Sequence, residues 1–355
     1  MFSYCKALNS ITLPDTWGNV TYANYIFQNC YGLSQVTLPD TWGNVTYANN
    51  MFYYCYALSQ ITLPASWGSV ISIEGMFYYC YALNKITLPA SWGEDLTNTS
   101  QMFYYCSSLN TITLPTSFGN VTTTNQMFNS CSALCDITMP VSWGNVTNVG
   151  SMFLKCISLG TISLPSSWRN VTTTNNMFYS CSSMHSIALP DSWGSITDTN
   201  QMFSQCNTLH SVTLPASFGN VTNLGDMFSY CRGLKEIINH EYLGSISNEC
   251  YMRDTFIGCS YLQGTLTIAA KLTSFSASGT KITGIRLTNT GSTFTGSVQI
   301  NVSNTALSAS ALVNLFNDLP TLTGKSIDIT GCPGASLLTS EERAIATGKG
   351  WSITG

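Results

Sequence analysis

Charge is what this sequence has least of. Lysine, arginine, aspartate and glutamate together make up 8% of its 355 residues, against roughly a quarter in ordinary soluble proteins. Residues 1–231 carry only Lys6, Lys85, Lys155 and Arg169 against nine acids, and residues 232–355 carry nine basic groups against eight acids. With no basic stripe to neutralise phosphates, nucleic acid is not expected as a partner. Long apolar runs are also missing: none reaches the ~18 residues that a membrane-spanning helix needs, so no membrane insertion is expected. Met1 opens inside a repeat rather than in a charged leader with an apolar stretch, so no signal peptide is visible. Catalytic signatures are absent as well. No G-x-S-x-G, P-loop or H-E-x-x-H pattern occurs, and the acids are scattered singly over loops, so neither an enzyme nor a cofactor is expected.

What the chain has instead is a repeat. Met51-Phe52-Tyr53-Tyr54-Cys55-Tyr56-Ala57-Leu58, followed by Ile61-Thr62-Leu63-Pro64 and Ser66-Trp67-Gly68, returns about every 25 residues, from Met1-Phe2 and Ile26-Phe27 through to Met227-Phe228. A period of that size predicts a solenoid of stacked rungs. Asn49 and its counterparts Ser100, Asn125, Asn175 and Asn200 suit a helix cap, and Met51, Cys55 and Leu58 then fall at i, i+4, i+7 on one helical face. Gln60-Ile61-Thr62-Leu63 alternates and predicts a strand with Ile61 and Leu63 inward, ended by Pro64. Stacked rungs would align these strands in a parallel sheet. The fourth rung carries one extra residue near Glu94-Asp95-Leu96, which belongs on a loop.

The tandem Phe-x-x-Cys-x-x-Leu-x-x-Ile-Thr-Leu-Pro pattern resembles the BspA-like leucine-rich repeats of bacterial surface proteins. Departures from that pattern are a slightly longer rung and the Trp-Gly element at Trp17, Trp42, Trp67, Trp92, Trp143, Trp168 (followed there by Arg169) and Trp193, with Phe118 and Phe218 substituting. The segment Gly331-Cys332-Pro333-Gly334-Ala335 with Lys349-Gly350-Trp351 is similar to the C-terminal segments of leucine-rich-repeat proteins from bacteria and phage tail genes. The resemblance implies a leucine-rich-repeat solenoid with one short parallel strand and one short helical turn per rung, closed by an irregular α/β cap. The expected organisation is a regular array over 1–240, degenerate rungs continuing the same sheet over 241–305, with 241–253 read as a loop or degenerate rung, and a cap over 306–355. Strands are expected at 265–268, 285–287, 298–300, 327–329 and 351–353. Ser308 would cap one C-terminal helix, burying Leu312, Leu315, Phe316 and Leu319. Thr339 with Glu342 forms a capping-box pattern for a second.

Eleven of the 14 cysteines, including Cys55, Cys80 and Cys106, share one repeat position. Parallel neighbours on adjacent rungs stand farther apart than the ~3.8 Å between Cβ atoms in a disulfide, so a buried ladder of free thiols is expected, with Cys135, Cys250 and Cys332 off it. His185 and His210 share a position but find no third or fourth ligand for zinc, so no metal is expected. Asn19, Asn44, Asn98, Asn120, Asn145, Asn170, Asn220 and Asn301 are Asn-x-Ser/Thr sites, and repetition of a turn accounts for most of them without a glycan.

Two surfaces stand out as binding candidates. Outward strand positions form neutral columns, among them Gln60, Lys85, Thr111 and Asp136 in one and Thr62, Thr87, Thr113 and Thr138 in the other. They suit a glycan or a protein strip, or reflect only the preference of threonine for strands. Tyr53, Tyr54, Tyr56, Tyr78, Tyr79, Tyr81, Tyr104 and Tyr105 fall largely off the apolar stripe of three neighbouring rungs; exposed, they make an amphipathic patch, and packed between rungs they are core. The resemblance implies a non-enzymatic extracellular recognition or adhesion scaffold on a bacterial or phage surface, binding a glycan or protein receptor. The alternative is a structural subunit assembling laterally or end to end into a fibre. The apolar residues of the first rung, Phe2, Leu8, Ile11, Leu13 and Trp17, have no preceding cap, so self-association or coverage by an upstream segment is expected there.

Overall fold

The computed structural model describes every residue except 16, 192, 247–248, 270–271 and 289–298. Contacts divide the chain into two compact units, Met1–Met184 and His185–Gly355.

In the first unit the alternating segments form three-residue strands, Ser10–Thr12, Gln35–Thr37, Gln60–Thr62, Lys85–Thr87, Thr111–Thr113 and Asp136–Thr138. They pair in parallel two by two, each residue facing its equivalent one rung away: Ser10 opposite Gln35, Gln60 opposite Lys85, Thr111 opposite Asp136. Ile61, Leu63, Ile112, Leu114 and Ile137 are buried while Gln60, Thr62, Thr111, Thr113, Asp136 and Thr138 point to solvent, as alternation requires. The expected continuous sheet is therefore interrupted. One break lies between Lys85–Thr87 and Thr111–Thr113, where the extra residue of the fourth rung shifts the spacing, and Thr161–Ser163 make no strand.

The segment around Met-Phe turns, but not as a helix. Asn50 and Tyr54 both take left-handed φ values, 53° and 61°, four residues apart, which no α-helix tolerates. Backbone donors consequently alternate in direction. The N–H groups of Ala48, Asn50, Phe52 and Tyr54 donate forward to the carbonyls of Ser72, Glu74, Met76 and Tyr78 in the next rung, while those of Tyr53 and Cys55 close turns onto Asn50 and Phe52. Every second amide is thus spent on cohesion between rungs. Asn49 does not cap; its Oδ1 accepts from the Ser72 hydroxyl at 2.7 Å and the Glu74 N–H at 2.9 Å.

Three side-chain columns fill the interior of this unit. Phenylalanine rings from Phe2 to Phe178 lie 5.3–5.6 Å apart and within 8° of parallel, an offset-stacked spacing. Tryptophans form the second column, Trp17 on Trp42 at 5.9 Å and Trp42 on Trp67 at 5.0 Å. Trp17 is thereby buried, whereas Phe2, Leu8, Ile11 and Leu13 of the first rung are half-buried. The indole N–H groups of Trp42, Trp67, Trp92 and Trp143 are buried without an acceptor. Each costs ~1–3 kcal/mol, but burying 150–250 Å² of ring returns about 4–6 kcal/mol, so the ring wins and the N–H is dispensable. Phenylalanine accordingly stands in at position 118. Cysteine makes the third column, its thiols donating to phenylalanine carbonyls of the preceding rung: Cys55 to Phe27 at 3.1 Å, Cys80 to Phe52 and Cys106 to Phe77 at 3.2 Å.

The Trp-Gly turn brings backbones close. Gly68 has φ +52°, and a Cβ on it would sit 2.5 Å from the Gly43 carbonyl oxygen, whereas Gly119, at φ +55°, has nothing within 4 Å. Gly119→Ala should cost only the left-handed strain of ~1–2 kcal/mol. Gly68→Ala adds the collision and should cost clearly more. Denaturant midpoints of the two variants measure the difference, and equal losses would refute the close approach.

The second unit begins with three paired strands, Ser186–Ala188, Ser211–Thr213 and Glu236–Ile238. Residues 241–253 are not simply loop: His240–Ser245 form a 3-10 helix and Cys250–Met252 a strand. Nor do the later strands continue one sheet. Gln263–Ala269 and Lys281–Thr288 pair with each other, tied to the strand side by the Gln263 N–H on the Lys235 carbonyl. Cys250–Met252, Leu272–Ser276, Gln299–Asn301, Lys325–Asp328 and Trp351–Thr354 form a separate five-stranded parallel sheet. It grows from isolated bridges that link Asp198 to Asn223 and Asn223 to Tyr251, on another side of the rung. Val298, expected in one of these strands, lies outside the described residues. Cys332 belongs with the other thiols, donating to the Val302 carbonyl at 3.1 Å.

Both C-terminal helices form where their caps predict. In α1 (Ala309–Asp318) the Ser308 hydroxyl accepts from the Ala311 N–H, and Leu312, Leu315 and Phe316 are buried, as is Leu319 just beyond. α2 (Ser340–Thr347) carries the Thr339–Glu342 capping box. Lys349 Nζ donates to the carbonyls of Phe316, Asn317 and Leu319 at the end of α1, placing a cation where the helix dipole is negative.

Candidate recognition surfaces

On the strand side of the first unit, Gln60 faces Lys85, Thr62 faces Thr87, Thr111 faces Asp136 and Thr113 faces Thr138. All eight side chains are exposed. Two open grooves run over this side. One of about 610 Å³ is lined by Lys85, Thr87, Thr111, Thr113, Asp136 and Thr138, and one of about 740 Å³ by Gln35, Thr37, Gln60, Thr62 and Lys85 with Asp40. Threonines, Gln35 and Gln60 share the linings with Ile, Leu and Pro residues of the same rungs, and Asp40, Lys85 and Asp136 are the charges.

The tyrosines occupy the turn edge of three rungs and stack column by column. Tyr53–Tyr78–Tyr104 are 5.0 and 4.5 Å apart, Tyr54–Tyr79–Tyr105 are 4.9 and 4.7 Å apart, and Tyr56–Tyr81 are 5.2 Å apart. Rings of neighbouring columns tilt against each other, Tyr53 on Tyr54 at 4.2 Å. Packing therefore half-buries Tyr53, Tyr54, Tyr78, Tyr79, Tyr104 and Tyr105, while Tyr56 and Tyr81 stay 37% and 39% exposed. A hydrogen bond to Tyr54, then burial, raises the Tyr53 phenol above its ordinary range; burial raises Tyr56, Tyr78, Tyr79, Tyr81 and Tyr104. These hydroxyls are neutral hydrogen-bonding groups at neutral pH. Tyr31 joins by stacking on Tyr56 at 5.0 Å, and Lys6 Nζ lies 5.4 Å from its ring centre. Its place one residue after Cys30, like Tyr56 after Cys55, is the sequence signal for it.

Tyr54, Tyr79 and Tyr105 sit at φ 61°, 60° and 58°, a left-handed region where Asn is favoured and bulky side chains are rare. Other rungs put Asn29, Ser130, Lys155, Ser180 and Gln205 there, and Tyr4 and Tyr230 stand there singly. Tyrosine at both this position and the one before it occurs only in the third, fourth and fifth rungs. The rung does not need it.

The remaining candidates fall into structural roles or carry no chemistry. His185 and His210 stack in parallel at 6.2 Å in the second unit, both exposed. Among the described residues no group of three or more His, Cys, Asp or Glu is placed to hold a metal ion. Asn44, Asn120, Asn170 and Asn220 each donate Nδ2 to a carbonyl of the preceding rung, Gly18, Glu94, Gly144 and Gly194 respectively, and Asn145 donates to the Asn120 side chain. These amides are a ladder between turns. No helix among the described residues is long and apolar enough to cross a membrane.

The family model described as BspA type leucine rich repeat region matches in 6 copies over residues 1–94, 48–174 and 171–303. Solved structures similar to the chain include a leucine-rich repeat protein from Bacteroides ovatus, with 17% identity over 84% of this chain and 80% of that one at a TM-score of 0.49. A leucine rich repeat protein of T. pallidum gives 23% identity over 57% of this chain and 78% of that one at a TM-score of 0.34. No curated protein matches.

Proposed function

Because the chain belongs to the BspA-type leucine-rich-repeat family, we propose that it is an extracellular recognition scaffold, displayed on a bacterial cell or a phage particle, whose tyrosine patch contacts a glycan or protein receptor. The family is one of surface and adhesion-type scaffolds, typically non-enzymatic, and leucine-rich-repeat folds commonly bind proteins or other ligands. One observation carries the finer reading. Three consecutive rungs put tyrosine both at the left-handed position and just before it, a pairing no other rung of the sequence has, and the rungs on either side hold Asn29 and Ser130 there. Backbone preference does not favour that choice, whereas amphipathic, rotamer-poor tyrosines are what contact surfaces use. The neutral strand side, with its two grooves, adds a second contact area in the same unit.

Replacing Tyr54, Tyr79 and Tyr105 together by Asn should lower the melting temperature only modestly, since the stacking that is lost is partly offset by a residue that suits this backbone. Binding to host cells or to a glycan array should fall roughly tenfold or more, the scale expected when contact hot spots are removed. Unchanged receptor binding would refute the role of the patch. Loss of self-association without any ligand signal would support the fibre reading instead.

A further inference from the structure

The five-stranded sheet of the second unit carries a trough of about 840 Å³, within the volume range of small-molecule sites. Its shape follows from side-chain size. The strand Leu272–Ser276 sets Ser274 and the buried Ser276 in the floor, between Tyr251 with Arg253 just past its strand on one side and Gln299 and Asn301 on the other. Small residues on a middle strand, flanked by long ones, leave a channel parallel to the strands.

The polar groups of this channel are not used up by the fold. Ser274 Oγ is buried with no hydrogen-bond partner, a cost that a ligand hydroxyl would relieve. Asn301 accepts on Oδ1 from the Ser303 N–H and hydroxyl at 3.0 and 2.7 Å, which leaves its Nδ2 donors for another acceptor. Tyr251 lies over Gly225, where a Cβ would come within 2.6 Å of the ring, so the ring is held by the preceding rung while remaining 36% exposed. Arg253 pairs with Asp254 at 3.2 Å and Glu249 also lines the trough, so two carboxylates outnumber the one cation and an anion finds no net positive charge. Amides that both donate and accept, one fixed aromatic ring and an excess of carboxylate over cation suit a ligand with many hydroxyls and no negative charge.

We propose that this trough is a saccharide-binding site for a neutral glycan lying along the strands. It is separate from the tyrosine patch and stands independently of it. The probe is an array of neutral oligosaccharides, with acidic oligosaccharides printed beside them. Wild-type protein should give a signal on neutral members. That signal should fall by about tenfold or more both in Gln299→Ala, which removes an exposed wall amide, and in Ser274→Leu, which fills the floor. It should persist in the triple Tyr54, Tyr79, Tyr105→Asn variant. Gln299→Ala should melt as the wild type does, so its loss of signal cannot come from misfolding. Absence of any neutral signal, a signal confined to acidic members, a signal that survives Gln299→Ala, or one abolished only by the tyrosine variant would each overturn the assignment.

Discussion

Replacing Trp92 or Phe103 by alanine should destabilise the protein by roughly 3–5 kcal/mol, the range for deleting a buried aromatic side chain. Trp92 is 2% exposed and Phe103 fully buried. Phe103 lies between Phe77 at 5.6 Å and Phe128 at 5.3 Å, so its loss opens a cavity that two neighbouring rungs share. Among the described residues Trp92 has one ring neighbour, Trp67, which it meets edge-on at 5.7 Å. Removing its unpartnered indole N–H also returns part of the cost, so Trp92→Ala should fall at the lower end and Phe103→Ala at the upper. Because each rung contacts its neighbours above all, the damage should spread to adjacent rungs. Urea titration followed by circular dichroism measures it, and a loss below about 1 kcal/mol in both variants would contradict the packing.

The thiol column should be nearly inert in the native state. Burial pushes Cys55, Cys80 and Cys106 far above the ordinary thiol range and Cys259 up to about 12, and only the thiolate is nucleophilic. Iodoacetamide at neutral pH should therefore modify exposed Cys5 and Cys135 and leave the buried column untouched, as peptide mass mapping would reveal. Modification of Cys80 or Cys106 at the rate of Cys135 would sink the idea, as would a native disulfide. The same shift makes stability depend on pH. Above a pH of about 8.5 the unfolded chain releases thiol protons that the folded chain retains. The folded state then holds more protons than the unfolded one, so stability should be full below that pH and should fall as pH rises toward the folded values.

Where a residue type has one physical use, the sequence was legible. Alternation at Gln60-Ile61-Thr62-Leu63, the serine cap at Ser308 and the capping box at Thr339 each became the element expected. The Met51, Cys55, Leu58 spacing misled, because i, i+4, i+7 also arises when two turns flank a left-handed residue. Tyr54 hid that residue, since a bulky side chain seldom takes positive φ; Asn29 at the same position was the better indicator. The tyrosine patch was visible because its members lie off the apolar stripe. The trough was not, because Tyr251, Ser274 and Gln299 come from three short strands that alternation alone cannot bring side by side.

The forward donation of turn amides from one rung to the next also bears on how such a gene changes. Leu13 to Asn24 reappears unaltered as Leu38 to Asn49, and Met51 to Leu58 as Met76 to Leu83. Because a rung bonds to equivalents one period away, recombination between two such copies removes or inserts a whole layer and restores every bond across the join. The doubled Met-Phe-Tyr-Tyr-Cys-Tyr-Ala-Leu segment is what such an exchange leaves behind, and repeating it would lengthen the aromatic surface one layer at a time while the interior stayed the same.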